Sequence, residues 1–113
     1  MEDSMYLATF AEYQQALKAT QNGGKPLVVD FTASWCPPCK KIGPVFESLA
    51  KNFAEQLVLR KLDVDANKEG KVAAKIQAMP TFIVYRDGVE VDRLRGAKED
   101  ELKQLLQRAA SSG

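Results

Sequence analysis

Hydrophobic and polar residues follow different spacings along the chain, and each spacing predicts a different element. A short apolar run at residues 5–8 predicts a first strand. Thr9 and Glu12 then form the pattern of a capping box, and apolar residues at helical spacing follow it. Residues suited to turns, Asn-Gly-Gly-Lys-Pro at 22–26, end this first predicted helix.

The middle of the chain predicts a buried strand followed by a long helix. Residues 27–32 are almost all apolar or β-branched, which is typical of a strand covered on both faces. After Cys36, apolar residues at helical spacing continue through Phe53. Pro44 lies inside this helical pattern, where its missing N–H predicts a kink.

The second half of the chain predicts a strand, a short helix, a hairpin and a last helix. Asp87-Gly88 lies between two apolar runs and is a strong hairpin signal. The predicted elements are a strand at 57–63, a helix at 67–76, strands at 81–85 and 89–94 and a helix at 98–110, followed by a frayed tail at 111–113.

This order of elements predicts an α/β fold in a single domain, residues 1–113. We expect a central mixed sheet of about five strands with helices on both faces. Crossover helices imply a parallel core, and the C-terminal hairpin adds an antiparallel edge.

Composition and charge exclude several classes of function. Sixteen basic and fifteen acidic residues leave a formal charge of +1, so we expect neither a nucleic-acid partner nor a membrane-surface partner. No apolar run approaches the roughly 20 residues that a membrane span needs. The acidic start of the sequence lacks the basic-then-apolar order of a signal peptide, which predicts a cytoplasmic protein.

The two cysteines of the chain, Cys36 and Cys39, lie where the buried strand ends and the long helix begins. At helical geometry their Cα atoms are about 5 Å apart, close enough for a disulfide. The start of a helix favours a thiolate, so we predict Cys36 as a nucleophile in disulfide exchange and Cys39 as the resolving thiol. The absence of histidine excludes a Cys-His pair and any imidazole metal ligand.

Pro37 and Pro38 separate the two cysteines and shape the predicted active-site loop. Neither residue has an N–H, so the Cys39 amide is the one donor within the loop that can reach the Cys36 sulfur. Both prolines suit a first helical turn and stiffen the loop. A zinc site needs four ligands, and two thiolates without histidine do not supply them, so no metal is predicted. A structural pair of buried cysteines is the other alternative at this spacing.

These residues resemble a known family. The segment at 28–40 reads VVDFTASWCPPCK and is similar to the active-site segment of the thioredoxin family, whose usual form is Trp-Cys-Gly-Pro-Cys-Lys. Further motifs match over nearly the whole chain: Pro44, Lys-Leu-Asp-Val-Asp at 61–65, Met-Pro-Thr-Phe at 79–82, Asp87-Gly88 and Gly96-Ala97. Pro37 replaces the usual glycine, and Cys-Pro-Pro-Cys is similar to the centres of tryparedoxins and nucleoredoxins.

Asp30 is an acid inside a buried strand pattern, where desolvation should raise its pKa. It is a candidate proton acceptor for Cys39; the alternative is an aspartate at a strand end, bonded to local amides. The resemblance favours the first interpretation and implies Lys61 as the charge neighbour of Asp30.

The resemblance also implies a substrate groove beside the cysteines. Its members are a cis Pro80, Met79, the Gly96-Ala97 backbone and Trp35, whose ring we expect to face the substrate. An extended substrate segment would pair with main chain near Pro80.

We therefore predict a protein-disulfide reductase of the thioredoxin family that needs no bound cofactor. The resemblance implies protein disulfides as substrates, an NADPH-dependent thioredoxin reductase as electron donor and a monomeric carrier. One alternative is a tryparedoxin-like or nucleoredoxin-like carrier fed by a different dithiol. Another is a redox-gated binding module, in which turnover is incidental.

Overall fold

Four helices and four strands lie along residues 5–111, the part of the chain that the computed structural model describes. The helices are α1 (Phe10–Lys18), α2 (Pro37–Asn52), α3 (Lys68–Ala73) and α4 (Glu99–Ser111). The strands are β1 (Leu27–Thr32), β2 (Val58–Asp63), β3 (Thr81–Arg86) and β4 (Val89–Arg95).

The four strands form one mixed sheet in the order β2-β1-β3-β4. Strands β1 and β2 are parallel, with Asp30 beside Lys61, whereas β3 is antiparallel to both β1 and β4. The predicted parallel core is thus limited to one pair of strands. The connection 64–80 between β2 and β3, which includes the six-residue helix α3, does not return the chain to the other end of the sheet. Strand β3 therefore starts at the end of the sheet where β1 and β2 finish.

The predicted strand at residues 5–8 is reduced to a single bridge, so the described sheet has four strands and not five. Tyr6 forms an isolated parallel bridge with Lys61, and the Leu7 amide donates to the Lys61 carbonyl at 2.7 Å. The capping box at Thr9 starts α1 at Phe10, so the ladder does not continue beyond residue 8.

Helices cover both faces of the sheet, as predicted, and two hydrophobic clusters result. Alternate residues of β1 contribute to opposite clusters, because successive side chains of a strand point to opposite faces. One cluster joins α1 and the end of α3 to the sheet and includes Tyr13, Val29, Phe31, Ile76 and Tyr85. The other joins α2 and α4 to the sheet and includes Val28, Phe46, Phe82, Leu102 and Leu105. Asp30 is two residues from Val28 in β1, so its side chain points to the same face of the sheet, the face that α2 covers.

The ends of the helices follow the sequence closely. The capping box predicted at Thr9 and Glu12 is formed, with the Glu12 amide donating to Thr9 Oγ1 at 3.1 Å. Helix α4 includes Ser111, which was expected in the frayed tail, and residues 112–113 of that tail lie outside the described residues. None of the helices within residues 5–111 is long and apolar enough to cross a membrane.

Replacing Thr9 with Ala should lower the free energy of unfolding by about 1 kcal/mol, because the Glu12 amide in the first turn of α1 loses its acceptor. Thr9→Ser keeps the hydroxyl and serves as the control. Urea unfolding at equilibrium measures both variants; equal loss of stability in Thr9→Ser and Thr9→Ala would show that the cap is not the cause.

Candidate active site

Cys36 and Cys39 begin helix α2 and are joined by a disulfide, with their Cα atoms 5.2 Å apart. Cys36 is the N-cap residue, and the Cys39 amide donates to its sulfur at 3.3 Å. Pro37 and Pro38 occupy the first two helical positions, where their missing N–H groups cost no hydrogen bond. The helix start therefore offers the Cys36 sulfur one directed amide and the positive end of the helix dipole.

The loop before β3 lies directly against Cys36. The Cys36 sulfur is 3.8 Å from the Met79 carbonyl oxygen, and the Met79–Pro80 peptide bond is cis. Met79 is half-buried and Pro80 is buried. Because β3 begins at the end of the sheet where β1 finishes, the antiparallel pairing of these strands is what brings this loop to the disulfide.

Gly96 and Ala97 follow β4 on the far side of the same loop. The Gly96 amide donates to the Pro80 carbonyl at 2.9 Å, and Gly96 has a φ of 105°, which favours glycine. Ala97 packs against the cluster below α2 and α4. The structure thus connects Gly96 to the loop beside Cys36 through one hydrogen bond.

Trp35 stands next to Cys36 with 61% of its surface exposed. Its indole Nε1 donates to Asp65 Oδ2 at 2.7 Å, which fixes the ring at the surface. Asp65 was not among the predicted site residues. A signal was present: it follows β2, the neighbour of β1, at the sheet end where α2 begins.

Asp30 is buried, with 1% of its surface exposed. Its Oδ1 atom has no hydrogen-bond partner among the described residues, so that oxygen lacks the local amide that the alternative interpretation requires. Burial raises the pKa of Asp30 to about 7; Lys61 lowers the pKa, and Glu47 raises it further. A cavity of about 240 Å³ has Asp30, Cys39 and Lys61 in its lining.

Lys61 lies beside Asp30 in the strand register, but its ammonium group pairs with Glu47 of α2. Sequence reasoning missed Glu47. Its spacing from Cys39 was the available signal, because Cys39, Gly43 and Glu47 are four residues apart and share one helix face. All three line the cavity.

The described residues contain no group of three or more His, Cys, Asp or Glu side chains placed to hold a metal ion. The polar groups near the disulfide are arranged instead around two sulfur atoms, one buried carboxyl and one buried ammonium group. This set can support exchange of a disulfide and movement of a proton.

The chain is similar to known proteins in sequence and in structure. The family model described as Thioredoxin matches residues 4–108. The chain belongs to the thioredoxin family. A thioredoxin H-type from Chlamydomonas reinhardtii is 52% identical over 88 residues, which cover 78% of this chain and 78% of that protein. A thioredoxin from Geodia cydonium is 44% identical over 104 residues, covering 91% and 95%. A solved structure of Plasmodium falciparum thioredoxin matches with a TM-score of 0.84 at 37% identity, covering 91% of this chain and 96% of that one.

This thioredoxin-family chain is a thiol-disulfide oxidoreductase, and Cys36–Cys39 is its redox-active disulfide. Its departure from the usual family motif is Pro37. The residue lies exposed at the first position of α2, where it removes one N–H that a glycine would present near the Cys36 sulfur. Apart from this missing N–H, α2 begins at the loop as a regular helix.

Asp30 should make this thioredoxin-family protein less stable as the pH rises. Below pH 3.8, the usual pKa of an aspartate, the carboxyl is protonated in both folded and unfolded chains; between 3.8 and about 7 only the folded chain keeps the proton. The free energy of unfolding should therefore fall through this range, by up to about 4 kcal/mol in total.

Urea unfolding of the oxidised protein from pH 4 to pH 8 tests this expectation against Asp30→Asn. The variant should gain stability relative to wild type as the pH rises and reach its full advantage above pH 7. A difference between the two proteins that stays constant with pH would contradict the raised pKa of Asp30.

Removing the acceptor of the Trp35 hydrogen bond should free the indole ring. Asp65→Ala is expected to lower the fluorescence anisotropy of Trp35, which is the one tryptophan of the chain. Asp65→Asn retains an oxygen acceptor and is the matched control. Both variants are measured in the reduced state, and equal anisotropy in Asp65→Ala and wild type would show that Asp65 does not hold the ring.

Proposed function

We propose that this oxidoreductase reduces disulfide bonds in other proteins, with Cys36 as the attacking thiolate and Cys39 as the resolving thiol. The observation that carries the assignment is the position of the Cys36 sulfur at the helix start, 3.8 Å from the Met79 carbonyl and bonded by the Cys39 amide. Cys39 lines the same cavity as Asp30, whereas Cys36 lies against the loop that contains Pro80.

The reaction is two successive exchanges of thiol and disulfide. The Cys36 thiolate attacks one sulfur of the target disulfide, forms a mixed disulfide and releases the first target thiolate. The Cys39 thiolate then attacks the Cys36 sulfur, which closes the Cys36–Cys39 disulfide and releases the second target thiolate. Two electrons pass from the dithiol to the target, and each released thiolate takes up one proton.

Asp30 is the proposed acceptor of the Cys39 proton before the second exchange. Its support is the burial of the carboxyl, the cavity that Asp30 and Cys39 both line and the pKa of about 7, which suits proton transfer at neutral pH. Lys61 is its proposed charge neighbour, because it lies beside Asp30 in the register and lowers the pKa of the carboxyl.

The proposed substrate groove runs beside Cys36. Trp35 supplies an exposed aromatic surface, and Met79, cis Pro80, Gly96 and Ala97 supply its other wall. Support comes from the contact of Met79 with the Cys36 sulfur and from the hydrogen bond that ties Gly96 to Pro80. An extended segment flanking the target disulfide would lie in this groove as an added strand.

The proposed electron donor is an NADPH-dependent thioredoxin reductase, and the proposed setting is the cytoplasm, with the protein acting as a monomer. Membership of the thioredoxin family supports the donor. A cytoplasmic location agrees with a chain whose two cysteines form a local redox pair and no wider disulfide scaffold.

Reduction of insulin disulfides driven by dithiothreitol tests the function. Wild type should accelerate the reaction well above the dithiothreitol blank, and Cys36→Ser should return the rate to the blank because no attacking thiolate remains. Cys39→Ser should accumulate a mixed disulfide with insulin, visible by mass spectrometry. A wild-type rate equal to the blank would reject a general reductase and favour a binding module.

Replacing dithiothreitol with NADPH and thioredoxin reductase separates the electron donors. Turnover in this assay supports the proposed reductase. Turnover with a small dithiol alone, and none with the reductase, would favour the tryparedoxin-like or nucleoredoxin-like carrier.

A further inference from the structure

The ammonium group of Lys61 has two carboxylates within reach. Asp30 is its neighbour across the parallel strands β1 and β2, and Glu47 approaches it from α2. The Lys61 side chain is 8% exposed and the Glu47 side chain is 45% exposed. In the structure the ammonium group bonds to Glu47, and Asp30 Oδ1 is left with no hydrogen-bond partner among the residues described.

We propose that Glu47 is a positioning residue: it holds the Lys61 ammonium group away from Asp30 and so keeps the buried carboxyl free to carry the Cys39 proton. This inference rests on the proposed role of Asp30. Asp30 would touch the reacting thiol, whereas Glu47 acts only through Lys61.

The surroundings of Asp30 show why the partner of Lys61 matters. Across β3 the register neighbour of Asp30 is the apolar Phe82, which offers no charge. The titratable and charged groups that share the cavity with Asp30 come from three segments: Tyr6 before α1, Cys39, Lys40 and Glu47 of α2, and Lys61 and Asp63 of β2. Lys61 is the one buried cation in this set, while Lys40 is exposed.

A close ion pair between Lys61 and Asp30 would stabilise the carboxylate and make it a weaker base. Glu47 opposes this in two ways, because it binds the ammonium group and adds a negative charge of its own. Gly43 lies beside this ammonium group: a Cβ built there would be in ordinary van der Waals contact with Lys61 Nζ, at 3.7 Å. Glu47 is half-exposed, so it can be replaced by another residue without disturbing the hydrophobic core.

The decisive variant is Glu47→Gln, which keeps the shape of the side chain and removes its charge. Carbon-13 NMR of the Asp30 carboxyl, in reduced protein, measures the pKa directly. We expect the pKa of Asp30 to fall by about one unit, because Lys61 turns toward it. The acid limb of the pH profile of insulin reduction should move to lower pH by the same amount.

Glu99→Gln is the matched control. It breaks the exposed Glu99–Lys103 pair on α4 and should change neither the pKa of Asp30 nor the pH profile.

Glu47 could raise the pKa of Asp30 by binding Lys61 or by its own negative charge. Two further variants separate these two effects. Glu47→Asp retains the charge and should restore most of the wild-type pKa of Asp30. In a Lys61→Met background, Glu47→Gln should shift that pKa by clearly less than it does in wild type, because no ammonium group remains to be diverted. Thermal unfolding of each variant verifies that it is folded.

The proposal is overturned if Glu47→Gln leaves the pKa of Asp30 unchanged, or if the shift is equally large in the Lys61→Met background. Failure of the underlying function has a different signature. If Asp30→Asn reduces insulin at the wild-type rate across the pH range, Asp30 is not the proton acceptor, whatever Glu47 does to its pKa.

Discussion

The active site depends on a constraint of chain geometry: three segments must meet at one end of the sheet. Strand β1 ends there and leads into α2 with its two cysteines, and β2 ends beside it. The short helix α3 does not return the chain to the opposite end, so β3 also begins there, preceded by Met79 and Pro80. A connection that crossed back along the sheet would have made β3 parallel to β1 and placed Pro80 about one strand length, roughly 20 Å, from the disulfide.

The same arrangement places a destabilising group at the centre of the fold. A carboxyl in a buried strand position costs stability at neutral pH, since its charged form loses hydration. The fold tolerates this cost because the two hydrophobic clusters above and below the sheet are extensive. The proposed proton transfer accounts for a carboxyl at this position, whereas packing does not, and its polar neighbours in the cavity include Glu47 of α2 and Lys61 of β2.

Much of the fold and of the candidate site could be predicted from the sequence, because the signals that determine the helices, the strands and the position of Cys36 are local. Periodicity located the helices and strands, the Thr9 capping box marked the start of α1, and the position of Cys36 predicted its place at a helix start. The direction of β3 depends on the end of the sheet at which the connection 64–80 leaves the chain, which periodicity does not express. The roles of Asp65 and Glu47 depend on contacts between segments that are 30 and 14 residues apart, respectively. Sequence spacing can place Asp65 and Glu47 near the disulfide, but it does not show which side chain each of them binds.

The cavity between α2 and the sheet has a consequence for how fast the buried carboxyl can equilibrate with solvent. Its volume of about 240 Å³ is enough for several water molecules, each occupying roughly 30 Å³ in the liquid. Its lining includes the exposed residues Tyr6, Ser34 and Lys40, so it reaches the protein surface. Water filling this cavity would give a proton a path between Asp30 and bulk solvent that needs no opening of the fold. Exchange of protons at the centre of the molecule would then be compatible with a rigid scaffold.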